Sequence, residues 1–301
     1  MAGEKRRLLT PKELARLANL KLVARKIVEG FLSGLHKSPY HGYSVEFAEY
    51  REYVPGDDLR YFDWKAYGKT DRLYIKKFHS ETNTSVRILL DKSASMGFSS
   101  KGDITKLKYA TFLAGALSFV AMKGQDSPGV IAFSSDGEIS LPPKGGEGHL
   151  SEIFNLLEEI EPSGSTTLSP VLHKVAETAG SRNIIIILSD LWDDLDEIMS
   201  GIRHLVFKGH EVIVFHVLDP FEVEFPYTEL IDFIDMETGE RLQVHTFSFR
   251  RIYLKEVKNF VEKLKRACTE AKVELHLART DRPFDIYLAS FLHKRASLSR
   301  R

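Results

Sequence analysis

Cysteine is almost missing from this sequence. Cys268 stands alone in 301 residues, which excludes an intramolecular disulfide framework and any centre built from several thiolates. Net charge is missing too: 42 Lys and Arg face 42 Asp and Glu, which argues against a uniformly basic nucleic-acid coat. No apolar run approaches the ~20 residues of a membrane-spanning helix. The segment FLAGALSFVAM at 112–122 is too short and rich in small residues. The opening MAGEKRRLLTPKELARL has no apolar h-region, so no secretory signal is expected. Internal repeats and low-complexity tracts are also lacking. What is present is a 43% apolar share with 28% charged residues, enough to build a substantial core. The length suits one large domain, or a core with a smaller companion. A soluble, cytoplasmic chain is expected.

The overall neutrality conceals local polarity. Residues 1–37 carry nine Lys/Arg against three Asp/Glu, a formal +6, and residues 189–240 carry fourteen acids against two bases, a formal −12. The tail 286–301 adds four bases and no acid. Such segments are either solvated faces or two unlike docking surfaces.

Thr10-Pro11-Lys12-Glu13 is a helix start, with a capping threonine, a proline at the first helical position and a glutamate that closes a capping box. One basic helix is expected from there to about residue 35, its stripe of Leu14, Leu17, Ala18, Ile27, Phe31 and Leu35 packing on the main body. Residues 38–85 form a small, aromatic, charged, partly β subdomain, with a turn at Pro55-Gly56-Asp57 and a strand within 73–78. From there the pattern predicts strands at 86–90, 129–133, 183–189, 211–218 and 273–277, with 139–141 as a hairpin partner. Helices are predicted at 107–121, 150–160, 170–179, 194–207, over a segment ending at 260–271, and at 284–293. Apolar strands separated by helices make an α/β, doubly wound, mainly parallel sheet covered on both faces, spanning 86–295. An acidic insertion at 219–245 interrupts it, with a turn at Glu237-Thr238-Gly239-Glu240 between two short strands. Residues 296–301 are a basic tail.

The chemistry concentrates in Asp91-Lys92-Ser93-Ala94-Ser95-Met96-Gly97, directly after a predicted central strand. Loops beyond the carboxyl ends of strands are the usual ligand site of doubly wound sheets. Two more oxygen-bearing loops follow: Gly164-Ser165-Thr166-Thr167-Leu168, and Ser189-Asp190 after the strand IIIIL. Asp91, Ser93, Ser95, Thr166 and Asp190 together offer hard oxygen ligands without Cys or His, a set that suits Mg²⁺ or Mn²⁺ rather than zinc. The two carboxylates compensate a divalent ion only about once over, so the ion would still accept a carboxylate from outside. Lys92 sits in a spacer and need not face the metal. Asp193 and Asp194 are candidate bases, and equally fit a helix first turn. His36 with His41, Gly145-Gly146-Glu147-Gly148 and the basic-aromatic segment 72–78 lack the companions of a zinc site, a phosphate loop and a nucleic-acid surface respectively.

The Asp-x-Ser-x-Ser run at Asp91, Ser93 and Ser95, the Gly-x-Thr-x-Leu loop at Thr166 and the aspartate Asp190 resemble the metal-ion-dependent adhesion site (MIDAS) of von Willebrand factor A domains. The resemblance implies a central, mostly parallel sheet, Mg²⁺ or Mn²⁺ on those residues, and a partner Asp or Glu completing coordination. Upstream, Phe47 to Arg60 (FAEYREYVPGDDLR) and Phe62-Asp63-Trp64-Lys65 are similar to the signature of the DUF58 family. Phe78, Glu81, Phe284-Asp285, Leu288 and Leu292 continue it, so the likeness spans roughly 40–295. It implies a protein acting beside a MoxR-type AAA+ ATPase in chaperone-like assembly, with no established activity of its own. Many relatives carry membrane helices before the signature, which this chain lacks. The cluster around Arg51, Arg60, Asp63 and Trp64 reads as an ion-pair staple or as a contact surface.

The expected function is therefore a non-enzymatic, Mg²⁺-dependent protein-binding module. The alternatives are a metal-dependent hydrolase or phosphotransferase, which would need a positioned base, and a structural subunit. Nucleic-acid binding and an integral membrane segment are not expected.

Overall fold

A computed structural model describes residues 10–15, 17, 19–35, 50–52, 67–68, 74–76, 84–180, 182–284, 287–289 and 291. Most of the 38–85 subdomain, its Arg60–Trp64 cluster included, and the 296–301 tail lie outside the described residues. Within the subdomain, β1 (Tyr50–Glu52) pairs antiparallel with β2 (Tyr74–Lys76).

A six-stranded sheet organises the rest. Its strands are β3 (Ser85–Asp91), β4 (Ser127–Ser134), β5 (Gly137–Leu141), β6 (Asn183–Ser189), β7 (Glu211–Leu218) and, last in the chain, β10 (Glu274–Arg279). They lie in the order β10-β7-β6-β3-β4-β5. All neighbours are parallel except β5, which returns antiparallel along β4 as a hairpin. This is an α/β architecture of the von Willebrand factor A-like, doubly wound kind, with a mixed, mostly parallel sheet flanked by helices.

Strand alternation explains the two cores. Val86, Ile88 and Leu90 of β3, with Ile184, Ile186 and Leu188 of β6, face one way. There they meet α2 (Leu20–Leu35), α3 (Lys106–Lys123) and α4 (Glu147–Glu159). Leu89, Ile185, Ile187, Val212 and Val214 face the other way, onto α5 (Leu168–Thr178), α6 (Leu195–Phe207) and α8 (Thr246–Glu270). Strands buried on both faces read as continuous apolar runs for this reason. Each fully buried Ile or Leu contributes about 1.5–3 kcal/mol. Tyr287, Leu288 and Phe291 close the first core, and Phe284 stacks on Tyr109 at 4.5 Å between ring centroids.

The N-terminal helix departs from expectation. The capping box forms: the Thr10 N–H donates to Glu13 Oε2 at 2.7 Å and the Glu13 N–H to Thr10 Oγ1 at 3.3 Å. Yet α1 is only Pro11–Ala15, and α2 begins afresh at Leu20. Asn19 causes the break, because its Oδ1 accepts the Leu22 N–H at 3.0 Å and so caps a second helix. The new start turns Leu20, Val23, Ala24, Ile27 and Val28 into the first core, so the expected docking on the main body holds with a partly different stripe.

The acidic insertion folds as a short helix α7 (Pro220–Glu224) and an antiparallel hairpin of β8 (Leu230–Ile234) and β9 (Arg241–His245). The expected turn at 237–240 joins these two strands. Among the described residues, no helix is long and apolar enough to cross a membrane.

Candidate functional site

The sheet reverses its winding at β3. From β3 the chain crosses through α3 to β4 on one side, and it later returns to place β6 on the other. Such a switch point opens a crevice beyond the strands' carboxyl ends. Asp91 is the last residue of β3, and Asp190 is the first residue beyond β6. Both are fully buried.

The three predicted loops converge there. Asp91 Oδ1 accepts the Ser93 N–H at 2.9 Å. Its Oδ2 accepts the Ser189 hydroxyl at 2.6 Å and the Thr166 hydroxyl at 3.4 Å. Ser93 Oγ lies 3.1 Å from Ser95 Oγ. The Ala94 N–H donates to the Gly164 carbonyl at 2.8 Å, tying the first loop to the threonine loop. Gly164 has φ +69°, and a Cβ there would come within 2.5 Å of Ser135 Oγ and 2.8 Å of Asp136 Oδ1. Only glycine meets both demands without strain. All five predicted residues thus face one crevice. Ser189, expected in the same loop as Asp190 but not among the five ligands, joins them through its bond to Asp91.

The third loop is held under tension. Leu191 has φ +55°, a left-handed conformation that costs a leucine ~1–2 kcal/mol. Its buried side chain in the second core and its N–H bond to Ser189 Oγ at 3.0 Å hold it there. The turn keeps the Asp190 carboxylate inward.

The electrostatics are those of crowded acids. Burial, and then the neighbouring Asp190, push Asp91 up to about 6, against the hydrogen bonds from Ser189 and Ser93. Asp190 Oδ2 accepts from Lys106 Nζ at 2.7 Å, while its Oδ1 is buried with no hydrogen-bond partner among the described residues. Lys106, 1% exposed, also donates to Glu222 Oε1 at 2.7 Å. Burial alone would lower Lys106, but Asp190 and Glu222 together hold it above the ordinary lysine value. Glu222 is fixed by its own helix: its Oε2 accepts the Asp219 N–H at 2.7 Å in the capping box that starts α7.

Lys106, Glu222 and His216 were not singled out from sequence. His216 is buried against Trp192 and Phe260, near the Asp190 backbone but without a well-formed hydrogen bond, and burial pulls it down to about 4. Lys92 points away from the crevice, donating to Ser134 Oγ at 2.9 Å and Ser163 Oγ at 3.1 Å. Asp194 engages its carboxylate as the cap of α6, accepting the Asp196 and Glu197 N–H groups at 2.9 and 3.0 Å.

Among the described residues, no group of three or more His, Cys, Asp and Glu side chains is placed to hold a metal ion. The Asp91–Asp190 pair has hydroxyls as its companions instead. The orphaned Asp190 Oδ1, two crowded carboxylates and the hydroxyls of Ser93, Ser95, Thr166 and Ser189 are a donor set that a hard divalent cation fits.

Uncharacterised proteins of Mycobacterium bovis and of two Mycobacterium tuberculosis strains are 26% identical to this chain over 232 residues, covering 76% of it and 72% of each of them. Among solved structures, an aerotolerance-related membrane protein of Bacteroides fragilis is 18% identical, with a TM-score of 0.49 over 70% of this chain and 99% of that one. The conserved hypothetical protein BatB of Bacteroides thetaiotaomicron is 19% identical, with a TM-score of 0.46 over 71% and 99%. Residues 49–262 match the family described as protein of unknown function DUF58, and since that match takes in well over half of the sequence, the chain belongs to the DUF58 family.

Proposed function

We propose that this protein is a non-enzymatic recognition module that binds a carboxylate-bearing protein partner through a divalent cation, Mg²⁺ or Mn²⁺, held by Asp91, Ser93, Ser95, Thr166 and Asp190. The observation that carries the reading is the fully buried Asp190, whose Oδ1 has no hydrogen-bond partner among the described residues, beside the crowded Asp91 at the switch point. An unpaired buried carboxylate oxygen is costly unless something compensates it. The cation, when bound, supplies a Lewis-acidic point of attachment for an incoming carboxylate. The chain's own residues do the rest. Ser189 and the Ser93 N–H orient Asp91, Lys106 fixes one oxygen of Asp190 and leaves the other without a hydrogen-bond partner among the described residues, and the Ala94–Gly164 bond ties the threonine loop to the first loop.

The DUF58 resemblance makes a MoxR-type AAA+ ATPase the partner to try first, in the cytoplasm. The test has two arms. Calorimetric titration measures Mn²⁺ binding to the wild type and to Asp91→Ala, with one site expected in the former and a large loss in the latter. Surface-based binding of a MoxR-type ATPase is then run with chelator and salt varied separately. Metal-assisted docking is sensitive to chelator and to Asp91→Ala. Docking through the +6 and −12 segments alone is sensitive to salt and indifferent to chelator. Absence of Mn²⁺ binding to folded wild type at millimolar concentration rejects the metal reading.

A further inference from the structure

The acidic insertion folds around an open cavity of about 530 Å³, lined by residues of α7, the β8–β9 hairpin and α8. That is the size of a small-molecule site. Phe221, Phe225, Tyr227, Phe233, Phe249 and Tyr253 all line it. These rings form one connected wall. Between centroids, Phe225 lies 5.8 Å from Phe233, 5.9 Å from Phe249 and 4.6 Å from Tyr253. Tyr227 lies 5.6 Å from both Phe221 and Phe233.

The wall is held in place. Phe225, 2% exposed, ends α7 at φ +44°, a left-handed conformation that a non-glycine residue keeps only when its surroundings over-determine it. The Tyr253 ring is fixed by its hydroxyl, which donates to the Glu222 carbonyl at 3.0 Å. Two other lining residues stay wet. Leu242 pairs across the hairpin with Phe233 yet is 58% exposed, and Ile234 is 54% exposed. Apolar surface left in water beside an apolar cavity is surface that a ligand can cover.

Charge selects the class of ligand. The polar side chains among the described lining residues are Glu222, Asp232 and the two tyrosines, with no Lys, Arg or His. Glu222 and Asp190 share the single Lys106 ammonium, each at 2.7 Å, so the three ionised groups carry one net negative charge. Burial, and then the charge of Glu222, push the Tyr253 hydroxyl up to about 12. Aromatic ring faces are negative as well. Ammonium groups of the chain already stand over rings there: Lys101 Nζ is 5.5 Å from the Phe221 centroid, and Lys106 Nζ is 6.0 Å from that of Phe98, another lining residue. Lys101 stands in solvent and Lys106 is tied to its two acids. Such a wall repels an anion and attracts an apolar body that bears positive charge. We propose that this cavity is a binding site for a small organic cation, an apolar body carrying an ammonium group, with the ammonium over the ring faces near Glu222. The inference goes beyond the metal-assisted reading and does not depend on it.

Fluorine NMR titration of the full chain, in chelator, tests it with three probes on one scaffold: para-fluorobenzyl-trimethylammonium, para-fluorobenzyl alcohol and para-fluorophenylacetate. The ammonium probe should saturate one site and bind about fivefold or more tighter than the alcohol, with the acetate weakest. Leu242→Trp places a large side chain at the cavity from an exposed position and should abolish binding of the ammonium probe. Phe249→Leu keeps apolar bulk but removes a ring, and should bring the ammonium probe down toward the affinity of the alcohol. Asp232→Asn, at an exposed position that leaves the cores untouched, should weaken the ammonium probe and not the alcohol. Equal affinity for the three probes, no saturable binding of the ammonium probe to folded wild type at millimolar concentration, or unchanged binding in Leu242→Trp overturns the inference.

Discussion

Replacing Lys106 by Met tests the electrostatic frame of the site. Lys106 Nζ lies 2.7 Å from Asp190 Oδ2 and 2.7 Å from Glu222 Oε1, with side-chain exposures of 1%, 0% and 16% for Lys106, Asp190 and Glu222. Methionine keeps most of the stem and removes the ammonium. Among the described residues, Asp190 then loses the partner of Oδ2 while Oδ1 already lacks one, and the Glu222 carboxylate keeps its bond from the Asp219 N–H at 2.7 Å. Removing one partner of a buried ion pair costs about 3–5 kcal/mol, because an uncompensated charge stays inside. At about 2–4 °C per kcal/mol for a domain of this size, the melting temperature should fall by roughly 10 °C. Differential scanning calorimetry in chelator measures this. Adding Glu222→Gln to the same chain should recover part of the loss, since one of the two stranded acids becomes neutral. Mn²⁺ should narrow the gap between the variant and wild type by returning positive charge to Asp190. A Lys106→Met melting temperature within about 2 °C of wild type in chelator would refute the reasoning, and would mean that Asp190 relaxes outward to water.

Two further outcomes are expected. Folded Asp91, pushed up to about 6 chiefly by burial, keeps a proton that the unfolded chain has released, so its contribution to stability falls by about 3 kcal/mol as pH rises from about 4 to 6. Folded His216, pulled down to about 4 by burial, excludes a proton that the unfolded chain takes up below about 6.5, so its contribution falls by about 3 kcal/mol as pH drops through that window. In chelator, Asp91→Asn should therefore lose stability on acidification more steeply than wild type and His216→Phe less steeply; parallel urea midpoints from pH 6.5 to 4 in all three proteins would contradict both assignments. Gly164→Ala should destabilise by about 1–2 kcal/mol through its left-handed backbone and its clash with Ser135 and Asp136, and should weaken Mn²⁺ binding by shifting Thr166; unchanged Mn²⁺ affinity would show that the two loops are not mechanically joined.

The central sheet was legible in the sequence because its strands are buried on both faces. Asn183 to Leu188 is nearly continuous aliphatic chain, and such a run flanked by helical periodicity has few other ways to fold. Asp91 and Asp190 were legible as well, since each polar residue ends an apolar strand, and parallel strands deliver their ends to one edge. The N-terminal break was harder to see, because Asn19 interrupts a helix without interrupting its hydrophobic pattern. Lys106 and Glu222 carried no sequence signal at all. They are separated by 116 residues, and one sits at the start of an ordinary helix while the other lies in a segment that reads as solvated acid. Their pairing exists only because the crossover after β3 and the turn after β7 reach the same crevice. Local patterns determine which elements form and where their polar ends fall. Tertiary structure alone decides which distant charges share a buried volume, because that depends on how the whole sheet is wound.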